Sequence, residues 1–407
     1  NMGGMAAMPR PRWQRRYLRS ISSSKTHRWT SKKCAPTEKS VQIDRRLISH
    51  FDWPLFLLCL AFVAVGVMTI YSANFDLDSG HAGALPARQV TWFGLGLVAM
   101  FVAMSFDYHY IDRLAYPFFG MMLVLLVLVM IVGHSGGGSQ RWIHLGFFRL
   151  QPSEPAKLAI VLVMAKYFQA DEPGRGYYLR DLWVPLLIVA PLILLTLIQP
   201  DLGTAIILGI VFLSMILMGG LRVRSFACLV GAGLAFLPIF WHFLRPYQQN
   251  RILTFLDPNR DPLGAGYHVI QSQIAIGSGR IFGKGFLHGT QNRLDFLPAQ
   301  HTDFIFAVFS EEWGFLGCAI LLLLYFIMIA YCIRLVQRAK DRFGALLVFG
   351  MVAIVFWHVV INVAMVAGVM PVVGVPLPMV SYGGSALASM MFAIGVIMNV
   401  SMRRYVF

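Results

Sequence analysis

The run FIFAVFSEEWGFLGCAILLLLYFIMIAYCIR, residues 304–334, decides the fold: apart from Glu311 and Glu312 it carries no charge before its closing Arg334. A helix needs about 20 apolar residues to cross the hydrocarbon core of a bilayer. This run exceeds that, so the predicted helix extends beyond the hydrocarbon or tilts within it. Working outward, comparable stretches lie at 54–72, 89–105, 115–133, 154–169, 182–198, 203–220 and 225–244 before it, and at 343–369 and 383–402 after it. The 407 residues are 57% hydrophobic and 13% charged, whereas a soluble domain carries roughly 25% charged residues. An ordinary soluble enzyme, a disordered chain and a disulfide scaffold are excluded. The fold class predicted is an all-α polytopic membrane protein with ten transmembrane helices over residues 53–405.

Charge orients the chain. Residues 1–52 hold 12 Lys/Arg against Glu38, Asp44 and Asp52. They read as a basic, membrane-proximal cytoplasmic tail, disordered in part. Its Arg- and Ser-rich composition also resembles a transit peptide, and no aromatic-rich pattern supports nucleic-acid binding. With the N-terminus inside, the inner segments hold 24 Lys/Arg and the outer ones nine, as the positive-inside rule requires. Ten spans return the C-terminus to the cytoplasm. The large loop 245–303, between the seventh and eighth spans, then faces outward. Its length and its mix of aromatic and polar residues mark it as ordered and functional. Cys34, Cys59, Cys228, Cys318 and Cys332 show no spacing suited to disulfides or zinc.

Four groups could carry chemistry. His301-Thr302-Asp303 stands where the outer loop meets the eighth span. Partial burial would raise the Asp303 pKa and suit it to general-base work; spacing alone favours the plainer reading, Thr302 or Asp303 capping the helix. Arg141, Trp142, Arg149, Glu154 and Lys157 surround the start of the fourth span. Glu154 and Lys157, three apart on one helical face, could be a structural pair or part of a cradle for a phosphorylated head group, with Trp142 packed against a sugar or lipid. Asp201, between the fifth and sixth spans, reads as a cap. The Pro/Gly run from Pro371 to Ser385 breaks helix and predicts a re-entrant or tightly turned segment. Glu311 and Glu312, about 12 Å along the eighth helix from Asp303, read as structural. No P-loop, HExxH, GxSxG or CxxC occurs.

The motifs QRWIHLG (140–146), RLQPSEPAKLA (149–159), QPDLGTA (199–205), LDPNRDPLGAGYHVIQSQIAIGSG (256–279), GKGFLHGTQNRLDFLPAQHTDFIFAVFSEEWGFLG (283–317) and PVVGVPLPMVSYGGSA (371–386) closely resemble the SEDS family (shape, elongation, division and sporulation). DPLGAGYH and LHGTQ point to its RodA-type rather than its FtsW-type branch. Arg280 replaces a usual Gly and Ser139 a common Ala; neither falls on the motif positions.

The resemblance implies a ten-helix glycosyltransferase that polymerises undecaprenyl-pyrophosphate-linked lipid II at the periplasmic face of the bacterial inner membrane. It implies a class B penicillin-binding protein and other elongation-complex membrane proteins as partners. The family's essential aspartate falls on Asp303, its important Trp and Lys on Trp142 and Lys157, and further cavity residues on Arg149 and Glu154. The acceptor sugar hydroxyl would attack the anomeric carbon with Asp303 as base. Lys157, Arg149 and Arg141 would steady the departing pyrophosphate, with His301 and Thr302 beside the substrate. No cofactor is certain, although a divalent cation, Mg or Mn, could share the charge. A lipid II flippase and a non-catalytic scaffold for the penicillin-binding protein are the rival readings.

Overall fold

The computed structural model describes residues 50–76, 81–136, 139–145, 148–170, 176–244, 246–257, 260, 264–293 and 301–404. The basic tail lies almost wholly outside them. A helix covers each of the ten apolar stretches: α1 (Trp53–Ala73), α2 (Leu85–Ser105), α3 (Tyr108–Val132), α4 (Ser153–Gln169), α5 (Trp183–Ile198), α6 (Leu202–Gly219), α7 (Val223–Phe243), α11 (Ile305–Gln337), α12 (Arg342–Val366) and α13 (Gly384–Arg403). Eight of these are long and apolar enough to cross a membrane. The two others are α4, with 17 residues, and α7, whose apolar part is Val223–Phe236.

The chain is not purely α-helical. β1 (Phe75–Asp76) pairs with β2 (His81–Ala82). β3 (His134–Gly136), β4 (Ser139–Leu145) and β5 (Phe148–Leu150) form a second antiparallel sheet between α3 and α4. Loop 245–303 is itself helical in part, with α8 (Pro246–Leu256), α9 (Ala265–Ser278) and α10 (Thr290–Arg293).

Helix α4 is the centre of the bundle. It packs against α3, α6, α12 and α13 and is buried on nearly every face, the pattern of a core helix rather than a lipid-facing one. Polar clasps join the outer elements. Asp52 accepts from Leu55 N at 3.4 Å as the cap of α1, from Tyr331 of α11 at 2.7 Å and from Ser401 of α13 at 2.7 Å. At the other end of α1, Ser72 donates to Glu312.

The eighth apolar stretch is not one straight helix. Gly314, at φ +64°, interrupts α11, and the loop Arg280–Gly285 is stitched into the break. Phe315 N and Leu316 N donate to the carbonyls of Arg280 and Ile281 at 2.8 and 3.0 Å, while Lys284 N and Gly285 N donate to those of Glu311 and Glu312, both at 3.0 Å. Backbone groups freed by a break in a packed helix must be paired, and these four bonds do so. The arm 305–312 before the break is buried along its whole length; it joins the Glu311–Glu312 end to the turn that holds Asp303.

Candidate functional site

The turn 301–304 precedes α11. Its three leading carbonyls are each held: His301 O by Tyr382 N at 2.9 Å, Thr302 O by Ser381 Oγ at 2.6 Å and Asp303 O by Asn362 Nδ2 at 2.9 Å. Asn362 also donates to Val375 O at 2.7 Å, and the rings of His301 and Tyr382 meet edge to face at 5.9 Å. The Pro/Gly run is thus a non-helical clamp, as its composition predicted, and it fixes the backbone of the turn. The cap of α11 falls on Phe304, with no side-chain cap bond. The Asp303 carboxylate is therefore not used as a helix cap. It lies beside Gly374, where a Cβ would sit 3.3 Å from Oδ2; the bare glycine keeps that face open.

Burial lifts the Asp303 carboxyl from its ordinary 3.8 to about 6. Arg251 and Arg141 pull it back down, while Asp201 adds to the rise. Burial likewise lowers the His301 pKa. Arg141, on β4, is committed to the turn between α5 and α6: Nε donates to Gln199 O at 3.3 Å, NH2 donates to Pro200 O, and NH1 lies 3.5 Å from Asp201. Asp201 caps α6 through Thr204 N at 3.4 Å and Thr204 Oγ1 at 2.9 Å, as its position suggested. It also receives Gln151 at 3.1 Å and Ser153 at 3.3 Å, so it ties the start of α4 to the start of α6.

One turn into α4, Lys157 donates to Glu154 at 2.8 Å and to His358 Nε2 at 2.9 Å, all three side chains being buried. The Glu154–Lys157 pair anticipated from spacing exists, with a third member from α12. Trp142 is partly buried on β4 opposite His134, and Arg149 is exposed on β5 opposite His144. Among the described residues, no hydrogen bond or ion pair joins either to Lys157 or Asp303. No cluster of three or more His, Cys, Asp or Glu suited to a metal occurs among the described residues.

An apolar cleft of about 500 Å³ opens between α5, α6, α7 and α8, lined by Ile193, Leu197, Ile206, Trp241 and Val373. Arg251 stands in its wall and is also the strongest charge acting on Asp303. A hydrocarbon-lined cleft thus carries in its wall the basic group that acts on the Asp303 carboxylate.

The family model described as "Cell cycle protein", covering FtsW, RodA and SpoVE, matches residues 52–406. The chain belongs to this family, the SEDS proteins. The peptidoglycan glycosyltransferase MrdB of Escherichia coli K12 is 41% identical over 361 residues, covering 87% of this chain and 94% of that one. Among solved structures, a chain from "Structural coordination of polymerization and crosslinking by a peptidoglycan synthase complex" is similar at TM-score 0.74 and 34% identity, over 87% of this chain and 98% of that one. The Thermus thermophilus rod shape determining protein RodA follows at TM-score 0.65 and 30% identity, with the same coverage. Family membership and eight apolar helices make this SEDS protein a multi-pass protein of the bacterial inner membrane.

Three groups at the site escaped the sequence reading. His358 and Asn362 sit inside an otherwise apolar span, and their one available signal was polarity within a membrane helix. Arg251 falls within loop 245–303, and nothing in its local sequence marks its nearness to Asp303.

Proposed function

We infer that this protein is a peptidoglycan glycosyltransferase, and we propose that it polymerises lipid II at the outer face of the inner membrane during cell elongation. Asp303 is the general base. The acceptor sugar's 4-hydroxyl attacks the anomeric carbon of the donor, Asp303 takes the hydroxyl proton, and the donor's bond to its lipid pyrophosphate breaks with inversion. The observation that carries this reading is a carboxylate left uncapped in a turn whose backbone is fixed, with its pKa raised to about 6. General bases work best with a pKa near the working pH.

Negative charge grows on the leaving pyrophosphate, and fixed cations in a water-poor site stabilise it. Lys157 fills that role. Arg251 adds positive potential beside the cleft, where a polyprenyl tail fits. Arg141 acts mainly by bracing the Asp201 turn. Arg149 and Trp142 meet the substrate from the sheet between α3 and α4. In this reading all ten helices cross the membrane, both termini are cytoplasmic and loop 245–303 is periplasmic. A class B penicillin-binding protein crosslinks the product, alongside other elongation-complex membrane proteins.

The test is polymerisation of labelled lipid II in detergent by purified protein with its partner. Detergent removes the second leaflet, so transport alone yields no glycan. Asp303→Asn is expected to reduce the rate by about 100-fold or more, within the range for loss of a general base. Full polymer yield from a folded Asp303→Asn protein would falsify the assignment.

A further inference from the structure

The ammonium of Lys157 is a buried cation within the bundle, and one carboxylate does not fix its direction. His358 supplies the second constraint. Its Nδ1 lies 2.7 Å from the Ile354 carbonyl, one turn earlier on α12, and its Nε2 lies 2.9 Å from Lys157 Nζ. A carbonyl can only accept, so Nδ1 carries the proton and donates. An ammonium can only donate, so Nε2 presents its lone pair to Lys157. The backbone of α12 thereby fixes the tautomer, just as a second-shell carbonyl fixes a metal-binding histidine. Among the described residues, Glu154 and His358 occupy two of the three ammonium N–H groups and leave the third.

His358 stands four residues before Asn362, on the same face of α12. Asn362 holds the carbonyls of Asp303 and Val375 at 2.9 and 2.7 Å. One helical turn, about 6 Å along the axis, therefore links the side chain that aims the cation to the side chain that anchors the base. We propose that His358 is a positioning residue for the glycosyl transfer: it aims the free N–H of Lys157 at the leaving pyrophosphate, at a separation from Asp303 set by α12. This rests on the reading of Lys157 and Asp303 given above.

The experiment measures initial rates of lipid II polymerisation by the purified full-length chain with its partner. It compares the parent with His358→Leu, His358→Gln, Lys157→Gln and the His358→Leu/Lys157→Gln double variant, and thermal unfolding is followed for each. Gln can place an amide oxygen near the position of Nε2 and accept from Lys157; Leu cannot. His358→Leu is expected to lower kcat by about 10- to 100-fold, the usual penalty for losing an outer-shell partner, with KM changed less than threefold. His358→Gln should recover at least half of the lost rate on a logarithmic scale. The double variant should be no slower than Lys157→Gln alone, because the two residues act through one contact.

Additive losses in the double variant, or Gln performing no better than Leu in a folded protein, would overturn the proposal. So would parental kcat in His358→Leu while Lys157→Gln is impaired. Parental activity in Lys157→Gln itself would instead overturn the role given to Lys157, which separates failure of the underlying reading from failure of this inference. If His358→Leu does not fold, His358→Gln decides: a kcat below one hundredth of the parent with intact folding refutes the acceptor role.

Discussion

Burial sets the working range of Asp303. In its proposed role as base Asp303 must be ionised, and burial pushes its pKa up to about 6. Polymerisation should therefore rise from the acid side, reach half its maximum near pH 6 and level off above pH 7, as measured by initial rates from pH 4.5 to 8. The same shift has a stability consequence of opposite sense. The folded state holds the proton more tightly than the unfolded state, so the stabilisation is complete below about pH 4 and is lost as pH rises through 6. Ionised Asp303 thus weakens the fold at neutral pH, and Asp303→Asn should raise Tm at pH 7 while removing activity. The gain is on the order of 1–2 kcal/mol after allowing for solvent screening at a part-exposed site, and it should shrink toward pH 4. A lower Tm at pH 7 would contradict the strain attributed to this carboxylate. The sequence made Asp303 visible as an ionisable group at a membrane boundary, but its spacing alone favoured a helix cap. Only the backbone shows that the cap falls one residue later, on Phe304. His358 was illegible for a different reason: its partner Lys157 is 201 residues away, and no local pattern reports such a pairing.

At the scale of elements, the break in α11 matters most. Continuous apolar sequence reads as continuous helix, so the Glu311-Glu312-Trp313-Gly314 stretch gave no sign that the chain turns there; nor did the residues before α4 announce their short strands. Gly314 is required twice over. Its φ of +64° disfavours a side chain, and a Cβ would lie 2.3 Å from Gly283 N. Gly314→Ala should lower stability by roughly 2 kcal/mol or more, read as a lower Tm in thermal unfolding. Gly277→Ala is the matched control. It lies within α9 with open space where its Cβ would go, so it should be neutral or stabilising by less than about 1 kcal/mol. Glu311 completes the loop's attachment, receiving Lys284 Nζ at 2.6 Å and Thr290 N at 2.8 Å. Its structural reading from sequence agrees with these contacts.

The whole molecule carries its own ruler. Asp52 ties α1 to α11 and α13 at one end, and Ser72 ties α1 to Glu312 at the other. Twenty residues of helix separate the two clasps, about 30 Å, which is the thickness of a bilayer's hydrocarbon core. Polar side chains at those two levels, with apolar helix between them, match the span that a bilayer core requires. Which clasp faces out is a question of charge. In the proposed orientation, Lys/Arg bias puts Asp52 inside, and the Asp303 turn, at the far end of α12 from Arg342, faces out toward a periplasmic acceptor. His288 is exposed in the loop between α9 and α11, and Lys340 is exposed between α11 and α12. In a cysteine-free background, His288→Cys should react with a membrane-impermeant maleimide on intact spheroplasts. Lys340→Cys should react only after lysis. The reverse pattern would place Asp303 on the cytoplasmic side, away from any periplasmic sugar acceptor, and the proposed chemistry would have no substrate.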